Sequence, residues 1–167
     1  MNHLLLYSLV YIIPCFFWHV MLHESAHGLV ALLYGIKIKL YPYPHIADGH
    51  FYFGRVTFDQ PLPTSRAVAW LSIAPVLAEL LWLATIWCVA LLVAPGILVY
   101  VVFAELVAPV GDLGNWALGF WTGHDWTDAM KFCNTTSFKQ SIGRVSSFLT
   151  LLPGVAAILW LVMKLRG

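Results

Sequence analysis

Residues 4–33 read LLLYSLVYIIPCFFWHVMLHESAHGLVALL. A helix rises about 1.5 Å per residue, so this run is long enough to cross the hydrocarbon of a bilayer. Its only strongly polar side chains are His19 and those of His23-Glu24-Ser25-Ala26-His27. A charged side chain at the centre of a bilayer costs roughly 2.5–3.5 kcal/mol on insertion scales. A carboxylate and two histidines do not persist there without a role. His-Glu-x-x-His places two imidazoles one turn apart on one helix face, with a carboxylate between them. With seven histidines and three glutamates available, the pattern should arise in about 0.5% of shuffled chains. The bland alternative is a polar helix interface, but His and Glu are poor choices for packing in lipid. The stretch predicts a hydrolytic zinc site built within the bilayer.

Composition agrees with that setting. The chain is 60% hydrophobic and 10% charged, with a mean hydropathy of +0.80. An ordinary soluble domain is excluded, and one polytopic membrane unit over residues 1–167 is expected. The net charge of +1 comes with no basic run, which argues against nucleic acid as a partner. Cys15, Cys88 and Cys133 are far apart and imply no disulfide framework. The N-terminal apolar run is too long for a cleavable signal and contains the motif itself.

The pattern predicts an all-α polytopic membrane protein with about four transmembrane helices and a small β-hairpin-like segment after the first. The helices are expected over residues 4–34, 66–93, 97–121 and 145–163. Gly35 stops the first, and Pro95-Gly96 closes the second. Pro14 and Pro75 are expected to bend their helices, and Pro109 with Gly111 to interrupt the third. The texture changes over residues 37–58. Lys37–Tyr41 and Phe51–Phe58 read as strands, with Asp48-Gly49 as the turn. The second run is aromatic on both faces, which suits the membrane surface. Asp125 and Asp128 are expected to cap a short helix in the loop from Thr122 to Arg144.

Charge placement sets the orientation. Lys37, Lys39, Arg55 and Arg66 lie in the first long loop, and Lys131, Lys139 and Arg144 in the second; only Lys164 and Arg166 lie elsewhere. Both long loops are therefore expected in the cytoplasm, with both termini outside and the site toward the cytoplasmic side. The small size suits a prokaryotic cell membrane.

A catalytic zinc ion takes three protein ligands and keeps one position open. His23 and His27 supply two ligands to one Zn2+ per chain. The third ligand is sought at matching depth on another helix, and Asp112 is the best candidate. It lies nine residues before the expected end of its helix, as His27 lies seven before the end of the first, so both sit about 10–14 Å deep. Gly111 and Gly114 flank it and permit close helix approach. The alternative for Asp112 is a helix cap after Pro109. His19, Glu79 and Glu105 are the competing third ligands. His19, one turn further back, suits a supporting role. Glu79 and Glu105 suit protonated interhelical hydrogen-bond partners. Asn115 is a candidate substrate or oxyanion contact. Glu24 is the general base: it takes a proton from the attacking water and returns it to the leaving amine.

These residues resemble the site-2 protease family of intramembrane zinc metalloproteases. His23–His27 is similar to that family's zinc motif in its first core helix. Lys37–Phe58 resembles the β-structure that follows it. Ala108-Pro109-Val110-Gly111-Asp112 is similar to its Asn-Pro…Asp-Gly region, with Ala108 in place of the asparagine and Leu113 in place of the final glycine. Ser72-Ile73-Ala74-Pro75 loosely resembles a small-residue-proline stretch of the second core helix. The resemblance spans about Leu4 to Trp121. It implies a minimal form, without PDZ or CBS-like extensions, that cleaves a transmembrane or membrane-proximal segment of a membrane protein. Strand pairing with Lys37–Phe58 is a way to hold such a substrate extended. The competing readings are a non-catalytic membrane adaptor of the same fold and a metal transporter using the His19, His23, His27 stripe.

Overall fold

The computed structural model describes residues 2–92 and 98–166. The Pro95-Gly96 turn lies outside the described residues. Among the described residues, five helices follow one another: α1 (Asn2–Leu33), α2 (Ser65–Leu92), α3 (Leu98–Thr122), α4 (Asp128–Thr135) and α5 (Gln140–Arg166). Four short strands lie between α1 and α2: β1 (Ile38–Tyr41), β2 (His45–Ala47), β3 (His50–Tyr52) and β4 (Arg55–Phe58). Among the described residues, three stretches are long and apolar enough to cross a membrane: Ser65–Leu92, Tyr100–Thr122 and Gln140–Trp160. Three of the four expected spans are thus met on length and composition among the described residues.

α1, α2 and α3 pack mutually, and α5 covers α3. Val76, Leu83 and Ala90 of α2 bury themselves against Val102, Leu106 and Leu113 of α3. α3 runs unbroken through Pro109 and Gly111, contrary to the expected interruption. Within a bundle, neighbouring groups can satisfy the carbonyl that a proline leaves free. Asp112 is therefore not a helix cap.

α5 begins five residues before the expected start, because its polar first turn caps α3. Gln140 Nε2 and Arg144 Nε both donate to the Phe120 carbonyl, at 2.7 and 3.0 Å, one of the acceptors a helix end leaves unpaired. The chain can approach this closely because residue 143 is glycine. A Cβ there would lie 2.3 Å from the Phe120 ring.

The strand segment is one long hairpin in two parts. β1 pairs with β4 (Ile38 opposite Phe58) and β2 with β3 (His45 opposite Tyr52), both antiparallel. Asp48 and Gly49 both have positive φ, so the expected turn forms at the tip. Pro42-Tyr43-Pro44 on one side faces Phe53-Gly54 on the other. The extra residue and the prolines, which cannot donate to a ladder, separate the two parts.

The hairpin lies along α1 rather than standing off it. Ile38 fills the space over Gly28, the Val56 N–H reaches Glu24, Gly54 packs on Val20, and Phe53 stacks edge-on against Phe16 at 5.0 Å. From Phe16 to Gly28 is about 18 Å of helix. The aromatic run expected at the membrane surface thus follows α1 well beyond the site.

Candidate metal centre

The site is built where α1, α2, α3 and α4 meet. His23 and His27 project from one face of α1, and their Nε2 atoms lie 3.2 Å apart. Their other nitrogens are held. His27 Nδ1–H donates to the Leu71 carbonyl at 2.8 Å, and His23 Nδ1–H donates to Asp112 Oδ2 at 2.8 Å. A carbonyl only accepts, so Nδ1 of His27 carries the hydrogen and Nε2 presents its lone pair. The Asp112 carboxylate fixes His23 in the same tautomer.

The Leu71 acceptor is free for a reason written in the sequence. In a helix its carbonyl would bond to the N–H of residue 75, and residue 75 is proline. Pro75 thereby supplies the group that orients His27.

Asp128, the first residue of α4, completes the group. Its Oδ2 lies 3.3 Å from His27 Nε2 and 3.6 Å from His23 Nε2. Thr127 caps α4 by accepting from the Met130 N–H. Gly119 lets α4 close on α3, since a Cβ at that position would meet Ala129 at 2.8 Å. Burial alone raises the pKa of the Asp128 carboxyl, but contact with His23 and His27 in their protonated forms, with Lys131 beside them, outweighs it and holds the group below the usual carboxylate range.

Among the described residues, His23, His27 and Asp128 form a group able to hold a metal ion, with one donor atom from each within 4.8 Å of the others. The donor set passes a test of fit. Two ligands about 2.0–2.1 Å from one ion at a tetrahedral angle lie about 3.3–3.4 Å apart. The three donor separations of 3.2, 3.3 and 3.6 Å bracket that spacing. Two lone pairs and a carboxylate converging this closely require a cation or a proton between them.

Asp112, expected as the third ligand, stands instead behind His23. Matched by depth to His27, Asp112 meets His23 instead, one turn back on α1, and at the Nδ1 edge of its ring. Asp128, expected first as a helix cap and second as a site residue, comes from outside the spanning helices and reaches the Nε2 side. Depth along a span says nothing of a residue that arrives from a short helix outside the spans. The available signal was an aspartate beside a Thr N-cap, in a loop expected on the same side as the motif.

Glu24 and Asn115 line the same cavity of about 400 Å³ as His23, His27 and Asp128. A second cavity of about 470 Å³ shares His23, Glu24, Asp112 and Asn115 and continues toward Phe16 and Phe53. The motif therefore sits in the shared wall of two cavities, one opening toward α4 and one beneath the hairpin. Glu24 is tethered there: its Oε2 accepts from the Val56 N–H at 2.7 Å. The hairpin register explains the tether. Asp59 N–H donates to the Lys37 carbonyl, so alternate pairs carry the ladder, and the Leu40–Val56 pair turns its N–H groups outward.

His19 is not drawn to the metal-ligand group. Its Nδ1 lies 2.6 Å from Glu79 and its Nε2 3.3 Å from Glu105. The three competing ligands thus face one another, one turn of α1 away from the site.

No family model, curated protein or solved structure matches this chain.

Proposed function

We propose that the chain is an intramembrane zinc metalloendopeptidase, of the kind its resemblance to site-2 proteases implies. The observation that carries this reading is the spacing of His23 Nε2, His27 Nε2 and Asp128 Oδ2, with Glu24 in the same cavity. Two imidazoles and one carboxylate are a catalytic zinc set, with a fourth position left to water. Zinc bound there supplies Lewis acidity and lowers the pKa of water toward about 7.

The protein's own groups do the rest. Asp112 and the Leu71 carbonyl hold the two rings in the ligating tautomer. The Val56 N–H holds Glu24 by one oxygen, leaving the other to take a proton from water and deliver it to the leaving amine. Asn115, in the same wall, is placed to donate to the substrate carbonyl.

In this reading α1 is the fourth span, both long loops and the α4 side of the site face the cytoplasm, and both termini lie outside. The hairpin then enters the membrane beside α1. Non-helical backbone is tolerated at that depth where it lines a water-filled cavity, and Tyr52 lines both cavities. The substrate is a transmembrane or membrane-proximal segment held extended along the hairpin.

A second reading, a metal-bearing adaptor without activity, is favoured by the Glu24 tether, which occupies part of the base. Reconstituted protein incubated with synthetic transmembrane peptides, analysed by mass spectrometry, separates the two. Cleavage by wild type and none by Glu24→Gln at equal zinc supports the protease. No cleavage by either, with zinc retained in both, supports the adaptor.

A further inference from the structure

Glu79, His19 and Glu105 come from three different helices and meet inside the bundle. His19 is 3% exposed and Glu79 is 0% exposed. Glu79 Oε2 lies 2.6 Å from His19 Nδ1, while Glu79 Oε1 is buried with no hydrogen-bond partner. On the other side of the ring, Glu105 Oε2 lies 3.3 Å from His19 Nε2 and also accepts from Trp82 Nε1–H at 2.8 Å. Cys15 lies against Glu105 as well. The facing groups are therefore Cys15 and His19 on α1, Glu79 and Trp82 on α2, and Glu105 on α3.

The hydrogens can be placed from these contacts. A carboxylate at Glu79 would leave half of a full charge unpartnered in an apolar interior, which is far costlier than an unpartnered neutral carbonyl. If Glu79 carries the proton on Oε2, that O–H donates to His19 Nδ1 and Oε1 becomes an ordinary carbonyl. His19 Nε2–H then donates to Glu105, and the one remaining negative charge sits where two N–H groups point.

We propose that this triad is a proton-binding site, with the proton resting on Glu79, and that His19 relays it between α2 and α3. In the relay the Glu79 O–H bond breaks as Nδ1–H forms, and Nε2–H breaks as an O–H forms on Glu105. The total number of protons is unchanged. His19 lines the cavity under the hairpin, so the proton exchanges with water in the cleft. The site does not depend on zinc or on proteolysis.

Infrared spectroscopy of reconstituted protein at neutral pH tests this. The sequence has only three glutamates, Glu24, Glu79 and Glu105, so glutamate labelled with 13C at the side-chain carboxyl marks few oscillators. The wild type is expected to show a protonated-acid carbonyl band that shifts with the label and with D2O. The wild-type-minus-Glu79→Gln difference should contain that acid band and no carboxylate bands. A wild type with no label-sensitive acid band overturns the proposal without any variant. A difference spectrum that loses carboxylate bands places the proton elsewhere and overturns it too. Glutamine mimics the neutral acid, so the variant is expected to purify like wild type.

Discussion

Pro75 of α2 and His27 of α1 are linked through a single carbonyl. The proline removes the N–H that would occupy Leu71 O, and His27 Nδ1–H takes its place at 2.8 Å. A residue usually read as a kink is here part of the support of a candidate metal ligand. Pro75→Ala restores a competing donor. A group that holds a metal-binding imidazole by its other nitrogen typically carries about 10–100-fold in metal affinity. The variant is expected to keep its helix and bind zinc at least 10-fold more weakly in a chelator competition. Unchanged affinity would mean that His27 needs no such support.

Glu24→Gln should separate binding from chemistry. Glutamine keeps an oxygen for the Val56 N–H, so the hairpin stays docked and zinc content stays at the wild-type level. It cannot accept the proton of water, so cleavage should fall by at least the roughly 10²–10⁴-fold that general acid–base catalysis supplies. Cleavage equal to wild type would remove Glu24 from the mechanism.

The edge of β1 offers a test of strand pairing. The Leu40 N–H points away from β4, so Leu40→Pro deletes an outward donor and spares the ladder. If an extended substrate pairs there, cleavage should drop several-fold while zinc content holds. Cleavage unaffected by this substitution would count against β-augmentation at that edge.

Gly143→Ala tests the α3–α5 contact. Alanine gains about 1 kcal/mol of helix propensity over glycine, whereas overpacking typically costs about 1–3 kcal/mol. The new Cβ would lie 2.3 Å from the Phe120 ring, which is 2% exposed and packed against Trp116 and Phe138. The clash should win. Thermal unfolding in detergent should shift downward, and a rise in midpoint would show that Phe120 yields freely.

Much of the fold was legible because it follows from hydropathy and backbone chemistry. The long helices fall within a few residues of their expected ends, and the Asp48-Gly49 turn forms where the dipeptide places it. His23 and His27 were legible because spacing on one helix fixes their relation. The early start of α5 was hidden because Gln140 and Arg144 read as loop, although their partner is a carbonyl on α3. Asp112 and Asp128 left their expected places for a similar reason: Asp128, not Asp112, lies on the Nε2 side of His23 and His27. Depth along a span locates a side chain, but helix rotation decides which edge of an imidazole it meets. A residue brought in by a short surface helix leaves no periodic trace at all.

Zinc binding by the wild type, Asp128→Ala and Asp112→Ala, measured side by side in detergent, tests the centre most directly. The account predicts about one zinc per chain in the wild type and loss of tight binding in Asp128→Ala. Asp112→Ala should still saturate with about one zinc, at an affinity about 10–100-fold weaker. Full affinity in Asp128→Ala together with no zinc in Asp112→Ala would contradict it and return the third ligand to α3.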